Sequence, residues 1–310
     1  MLRELTGEER SAYLRGIHPI WGGLLDEPRF LAFQRRLADA PEAHDRYRML
    51  GWFEGDRLLS ALKTYELQGA SAGRPLRVLG IGAVYTPPSL RRKGYAFAML
   101  RDALERAKQA GTHAALLFSD IDVTYYERLG FRPVESREVS VELSQLPRPA
   151  GGFRSAMAGD EPALARIFAA PRKDEQRLHL CRDEWTVRFQ LRRLRELARA
   201  RGVGEPEWGI VAETRTGEGG AMLRFGRDSV DVLDAAWSND SARQALFGGL
   251  RDCMQRTGRI RLRLWPAAQL RGVFTATERR SSIAMVASLA TGALLPERGG
   301  PTELALLDHN

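Results

Sequence analysis

Arg91, Arg92 and Lys93 stand together, followed at once by Gly94, Tyr95 and Ala96 and then by a helical pattern. Residues of these types at a helix start suit the capture of an anion. First-turn N–H groups have no partner inside a helix, and the macrodipole places partial positive charge beside them. Gly94 lets the main chain come close to a ligand, and the three side-chain charges strengthen the field. The chemistry to expect is binding of a phosphate or pyrophosphate; the plainer alternative is a basic helix start with a glycine in its turn. The spacing is neither the GxxxxGK[ST] of a Walker A loop nor the GxGxxG of a Rossmann turn.

The elements on either side must hold that junction. Upstream, Val78, Ile81 and Val84 suit a buried strand, in which Gly80 and Gly82 remove side chains so that another backbone or a ligand can approach. Pro87 and Pro88 end it. Downstream, Ala96, Met99, Leu100, Ala103, Leu104 and Ala107 recur at helical spacing and form one apolar stripe. Before the junction, "LTGEERSAYLRG" and "EPRFLAFQRRLADA" read as helices, and "YRMLGWFEGDRLLSALKTYEL" reads as two antiparallel strands joined through Glu54, Gly55 and Asp56. A polar loop is expected from Gly69 to Arg74. After the junction come a strand at "HAALLFS", a short helix at "VTYYERLG" and a final strand pair around "FRPVES" and "REVSVEL". Helices packed on a mixed, mainly antiparallel sheet make an α+β domain.

The stretch "QLPRPAGGF", with two prolines and two glycines, marks a boundary and predicts domains over residues 1–146 and 151–310. The second half repeats the element order: a helix at "DEPALARIFAA", an arginine-rich helix with Val187, Leu191, Leu194 and Ala198 on one stripe, and strands at "WGIVAET", "AMLRFG" and "DSVDVLDAAW". A helix from Ser241 to Thr257 and the strand "IRLRLWP" follow. Two similar tandem domains are therefore expected. The later run "SIAMVASLATGALL" suits a buried helix or part of an interface.

The junction resembles the GCN5-related N-acetyltransferase (GNAT) superfamily, whose pyrophosphate loop reads [Q/R]xxGx[G/A] ahead of a helix; Arg91 to Ala96 fits each fixed position. The resemblance implies that main-chain N–H groups from Arg92 through Lys93, Gly94, Tyr95 and Ala96 to Phe97 hold the pyrophosphate of acetyl-CoA, with Arg91 opening the motif. Val84, Tyr85 and Thr86 would then offer backbone groups to the pantetheine arm. A second motif of the superfamily, YxxxGF, is met by Tyr126, Gly130 and Phe131. Gly130 suits a left-handed helix end, with Phe131 returning to the core. For Tyr126 the resemblance implies general-acid work on the leaving CoA thiolate after a primary amine of a small molecule attacks the thioester directly. A phenol of pKa about 10 stays protonated at neutral pH. The attacking amine must first lose its own proton, either to a carboxylate or through water; Glu66 is the candidate base, with Asp120 and Asp122 as others.

Several segments are also similar to the fungal lysine N6-acetyltransferase family: "LLSALKTYEL", "GIGAVYTPPSLRRKGYAFAML" and "LLFSDIDVTYYERLGF". This implies the lysine side-chain amine as acceptor, although Lys63 stands where that family carries an acid. The counterpart of the cation loop in the second half, "SNDSARQALFGG", offers Ser238, Asn239 and Asp240 as helix caps but no basic triplet or suitable glycine. The second domain is therefore expected not to bind CoA, and instead to wall the acceptor site or make a homo-oligomer contact. Two rival readings stand beside the acetyltransferase: a tRNA-dependent aminoacyl transferase built from two such domains, and a non-catalytic acyl-CoA-binding regulator.

Composition narrows the remaining classes. The chain has 310 residues, 44% of them hydrophobic, and a formal charge of +8; all but four of its 47 basic residues are arginine, scattered among 39 acids. Such scatter gives no basic patch, so nucleic acid is not an expected partner. Cys181 and Cys253 have neither a CxxC spacing nor neighbouring histidines, so neither a metal site nor a disulfide framework is expected. No apolar run reaches the length of a signal-peptide core or a membrane span, which predicts a cytoplasmic location.

Overall fold

The computed structural model describes residues 1–44, 46–169, 177–202, 209–265, 274–292, 295–300, 302 and 304. Ala170, Trp208, Pro266, Ala293 and Leu294, at the ends of expected elements, lie outside the described residues. Within them the chain divides into two units. The first takes Met1–Glu135, Glu196–Gly204 and Ser281–Gly300; the second takes Ser136–Arg195, Glu205–Arg280 and Pro301–Asn310.

The first unit runs β1 (Leu2–Glu4), α1 (Gly7–Trp21), α2 (Glu27–Ala38), β2 (Tyr47–Glu54), β3 (Arg57–Ser71), β4 (Arg74–Tyr85), α3 (Tyr95–Gln109), β5 (Ala114–Ser119), α4 (Thr124–Glu127) and β6 (Arg132–Pro133). Local chemistry sets these limits. Glu9 closes the start of α1 by accepting the Thr6 N–H at 3.1 Å, and Asp26 starts α2 by accepting the Arg29 N–H at 2.9 Å. Gly55 turns β2 into β3 at φ +54°, with Glu54 paired to Arg57. In α3, Met99, Leu100, Ala103 and Leu104 are buried and join Leu62, Leu79, Ile81 and Leu117 in one core. Full burial of Met99 and Leu100 contributes about 2 kcal/mol each in transfer free energy. Leu62 belongs to that cluster, whereas the next residue, Lys63, reaches Gln34 of α2 at 2.7 Å. Alternation along the strand therefore puts α2 and α3 on opposite faces of the sheet.

The second unit carries β7 (Arg137–Glu142), β8 (Phe153–Ser155), α5 (Glu161–Ala169), β9 (His179–Leu180), α6 (Glu184–Arg201, through Arg195), β10 (Gly209–Glu213), β11 (Glu218–Phe225), β12 (Ser229–Trp237), α7 (Asp240–Thr257), β13 (Arg261–Leu264) and β14 (Thr277–Glu278). The chain then returns to the first unit with β15 (Ile283–Ser288). The first sheet has the order β1-β2-β3-β4-β5-β15-β6, and the second, read from its far edge, β8-β10-β11-β12-β13-β7-β14. Along these paths the pairings are antiparallel, apart from β4 with β5 and β12 with β13. The expected α+β architecture, duplicated and mainly antiparallel, is what the two sheets have.

Three local expectations are corrected. The strands around 132 and 137 do not pair with each other, because β6 lies on β15 in the first sheet and β7 on β13 in the second. The run at 283–288 is a strand; Ala284, Met285, Val286 and Ala287 are all buried, so burial on both faces erases the period of two. The expected loop from Gly69 to Arg74 is a tight hairpin through Ala72 and Gly73, at φ +50° and +70°.

Candidate functional site

The basic loop sits where the first sheet splits. β4 and β5 pair in parallel from Val78 with Ala114 to Ile81 with Leu117, and the ladder stops there although β4 runs on to Tyr85. On its other edge β4 bulges. Ala61 pairs with Tyr85 and Lys63 with Gly82, so three steps of β4 face two of β3. Ala83 takes φ +47° within this bulge. An extra residue sharpens a strand's twist and ends regular pairing, which leaves the end of β4 diverging from β5. Gly80 does not open this space: a Cβ there would lie 3.0 Å from Leu67 and 3.2 Å from Tyr65, so its lost side chain makes room for β3.

Beyond the opening, Arg92 and Gly94 adopt left-handed conformations, at φ +63° and +81°. Left- and right-handed residues in close succession turn main-chain N–H groups inward as an anion nest. No side chain caps α3, so the first-turn N–H groups of Tyr95, Ala96 and Phe97 remain available. Arg92 and Lys93 are exposed beside them. Arg91 has another job, since its Nε donates to the Thr86 carbonyl at 3.1 Å and ties the loop to the end of β4.

The same end of the sheet carries Tyr126. Arg128, just past α4, lies over the Phe97 ring at 5.2 Å, so α4 is beside the first turn of α3. Tyr126 is 8% exposed within the α3 core and meets Phe131 and Tyr125 edge-on, at 6.1 and 5.0 Å between ring centres. Gly130 takes φ +85°, and the Phe131 N–H returns to the Tyr126 carbonyl at 3.2 Å. Burial, with the neighbouring Tyr125 and the Asp120 charge, pushes the Tyr126 phenol up to about 12.

None of the three candidate acids is free to serve this place. Glu66 pairs with Leu79, six residues before Tyr85 and so about 20 Å down the strand. There it lines a groove with Leu2, Arg48 and Arg106 on the α3 side. Asp120 accepts the Ser282 N–H at 2.9 Å and its hydroxyl at 3.0 Å, fixing the entry to β15. Asp122 accepts the N–H and hydroxyl of Thr124, the first residue of α4, and these bonds lower its pKa. Among the described residues, no group of three or more His, Cys, Asp or Glu is placed to hold a metal ion, and no helix is long and apolar enough to cross a membrane.

Two residues that the sequence did not single out meet the opening. Tyr13 of α1 donates its hydroxyl to the Ala83 carbonyl at 2.6 Å, and Ser60 of β3 donates to the Tyr85 carbonyl at 2.8 Å. Sequence separations of 70 and 25 left no local pattern to reveal them.

The second unit has the same framework with different chemistry. β12 bulges between Val232 and Asp234, and its parallel ladder with β13 ends at Val232. Here the helix start is capped, because Asn239 Oδ1 accepts the Ala242 N–H at 2.9 Å, and Asp240 puts an acid in the first turn. The Ala235 N–H is bound by Asp234 Oδ1 at 2.9 Å, and Asp234 forms a buried ion pair with Arg182.

Residues 22–134 match the acetyltransferase (GNAT) domain family. In architecture the chain is similar to a GCN5-related N-acetyltransferase from Kribbella flavida, with a TM-score of 0.67 and 18% identity over 92% of this chain and 70% of that one. A GCN5-related N-acetyltransferase from Anabaena variabilis gives 0.67 and 11% over 94% and 73%. Eis1 from Mycobacterium abscessus gives 0.61 and 16% over 93% and 74%. At these identities the likeness is one of fold. No curated protein matches the sequence. The matched segment contains the split between β4 and β5, the nest at Arg92 and Gly94, and Tyr126, so the match to the acetyltransferase (GNAT) domain falls on the candidate site itself.

Proposed function

We infer that the first unit transfers an acetyl group from acetyl-CoA to a primary amine of a small molecule, with the lysine side chain as the first acceptor to try. The observation that carries this reading is the uncapped start of α3, with Arg92 and Gly94 turned into a nest, at the mouth of the gap between β4 and β5. The N–H groups from Arg92 to Phe97 suit a pyrophosphate, and the end of β4 from Val84 to Thr86 suits an amide-bearing arm. Acetyl-CoA supplies an acetyl group activated as a thioester.

Tyr126 holds a proton at its phenol oxygen through the whole working pH range and hydrogen-bonds a sulfur that gains charge as its bond to carbon breaks. Transfer from a phenol at about 12 to a thiolate of ordinary pKa about 8.5 is uphill by roughly 5 kcal/mol. That lies well below the barrier of about 16 kcal/mol for a turnover of about 10 per second. With Asp120 and Asp122 occupied and Glu66 distant, the attacking amine gives its proton to water.

The second unit serves no acyl-CoA in this reading. Its helix start is capped and acidic, and the N–H beyond its bulge is held by Asp234. Trp237, Phe247 and Phe274 pack edge to face at the open end of β12. The decisive assay is thiol release from acetyl-CoA against a panel of primary amines, beside calorimetric titration of acetyl-CoA. Binding with amine-dependent release is expected; neither binding nor release with any amine overturns the proposal.

A further inference from the structure

The bulge in β4 creates a problem that residues outside the strand solve. An extra residue in one strand loses its partner across the ladder, and a carbonyl left unpaired inside the protein destabilises the fold. Tyr13, 1% exposed, donates to the Ala83 carbonyl at 2.6 Å. Ser60, fully buried, donates to the Tyr85 carbonyl at 2.8 Å and meets Thr86 Oγ1 at 2.9 Å. α1 is pressed onto the bulge as well: a Cβ on Gly16 would lie 2.5 Å from the Tyr85 ring. Ala83 itself holds φ +47°, a conformation that a residue with a side chain keeps only where its surroundings impose it.

These bonds decide which way the N–H groups point. The peptides are trans, so the C=O and N–H of one unit face opposite ways. With the Ala83 carbonyl turned to α1, the Val84 N–H points away from α1. With the Tyr85 carbonyl turned to Ser60 on β3, the Thr86 N–H points away from β3, to the edge where the β5 ladder has ended. We propose that Tyr13 and Ser60 are positioning residues that lock the bulge and aim the Val84 and Thr86 N–H groups at the acyl and pantetheine portion of the co-substrate. The assignment rests on the acetyl-CoA reading of this site. A fixed donor aimed at a carbonyl oxygen that gains charge speeds acyl transfer, and loss of one such donor costs about 100- to 1,000-fold in kcat. Freeing the peptide rather than deleting the donor forfeits part of that.

Tyr13→Phe removes only the hydroxyl, and Ser60→Ala does the same on β3; Leu14→Ala, at a fully buried neighbour of Tyr13 on α1, controls for loss of helix stability. The readouts are kcat, KM for acetyl-CoA, and amide exchange at Val84 and Thr86 resolved by NMR. The expected result for Tyr13→Phe is a fall in kcat on the order of 10- to 100-fold, KM within about threefold, and faster exchange at Val84. Leu14→Ala keeps its kcat. A Tyr13→Phe kcat within twofold of the native value, or an equal loss in Leu14→Ala, overturns the proposal. If the native protein neither binds nor turns over acetyl-CoA, the acetyl-CoA reading is what fails, and exchange alone decides the lock: faster exchange at Val84 supports it, unchanged exchange refutes it. Should Tyr13→Phe fail to fold, Ser60→Ala settles the matter by the same comparison at Thr86.

Discussion

At Gly94, charge and conformation can be separated. The residue takes φ +81° and ψ 2°, and an added Cβ would meet no atom within 4 Å. Any side chain there carries the left-handed strain, about 1–2 kcal/mol, without a collision. Gln and Glu have the same shape, so Gly94→Gln and Gly94→Glu share that strain and differ by one negative charge. Two pyrophosphate charges at about 6 Å repel that carboxylate by about 1.4 kcal/mol at the dielectric of water and about 5.5 at an effective value of 20. Screening at about 0.15 M salt roughly halves both. A difference of about 2 kcal/mol lies inside that range and corresponds to roughly 30-fold in Kd. Without ligand the sign reverses, because a carboxylate at a helix start gains about 0.3–1 kcal/mol from the dipole. Gly94→Glu should therefore melt no lower than Gly94→Gln while binding acetyl-CoA roughly 30-fold more weakly, and the gap should narrow in higher salt. Calorimetric titration and thermal melts of the two variants measure both quantities. Equal affinities for acetyl-CoA would refute an anion at this helix start.

Tyr126→Phe should lower kcat on the order of 100-fold and leave acetyl-CoA affinity within about threefold; steady-state kinetics with unchanged kcat removes the phenol from the reaction. The raised pKa of about 12 stabilises the fold fully below the unfolded value of about 10 and is lost as pH rises from there toward 12. Melting temperatures across that window should fall less steeply in Tyr126→Phe, and parallel curves count against the shift. Glu9 shows the opposite sign: hydrogen bonds from Arg3 and the Thr6 N–H hold it at about 2, so its contribution is present above about 4.5 and fades as pH falls toward 2. The melting gap between the native protein and Glu9→Gln should therefore shrink from pH 7 to pH 2, and a constant gap refutes the pairing. In the second unit, Arg182→Ala strands the buried Asp234 carboxylate and should cost about 3–5 kcal/mol in urea unfolding, part of which Asp234→Ala in the same chain restores. A loss below about 1 kcal/mol would mean that the pair is hydrated rather than buried.

What could be read in the sequence was what a short window contains. The stripe on α3, the turn at Gly55, the glycine ending α4 and the basic run before Gly94 each depend on spacing within a dozen residues. Strand assignment does not. β7 and β15 bracket the stretch of chain that holds most of the second unit, and each pairs with residues more than 100 positions away, Val141 with Leu262 and Val286 with Leu116. Their own patterns name no partner. The role of Gly80 failed for a related reason, since what fills its missing side chain comes from Tyr65 and Leu67 on another strand. Tyr13 was invisible because a buried tyrosine on an amphipathic helix looks like core until its hydroxyl is seen on the Ala83 carbonyl.

The two sheets show what separates a frame from a site. Each places a parallel pair at the same point of its order, bulges the strand before the helix and lets the pair diverge. That geometry ends the parallel ladder before the strand ends in both units, so the frame alone does not tell them apart. The difference lies in which main-chain groups are held. In the first unit two neutral hydroxyls bind the carbonyl side of the bulge, and the helix start, behind a glycine and two exposed cations, has no side-chain cap. In the second, carboxylate and amide oxygens of Asp234 and Asn239 bind the N–H side itself. A donor already held by an internal acceptor binds a ligand only after that bond breaks, and a buried charge-assisted bond is among the costlier ones to lose. A few side chains at each bulge and helix start thus set the two units apart, with held carbonyls and an uncapped helix in the first and held N–H groups and a capped helix in the second.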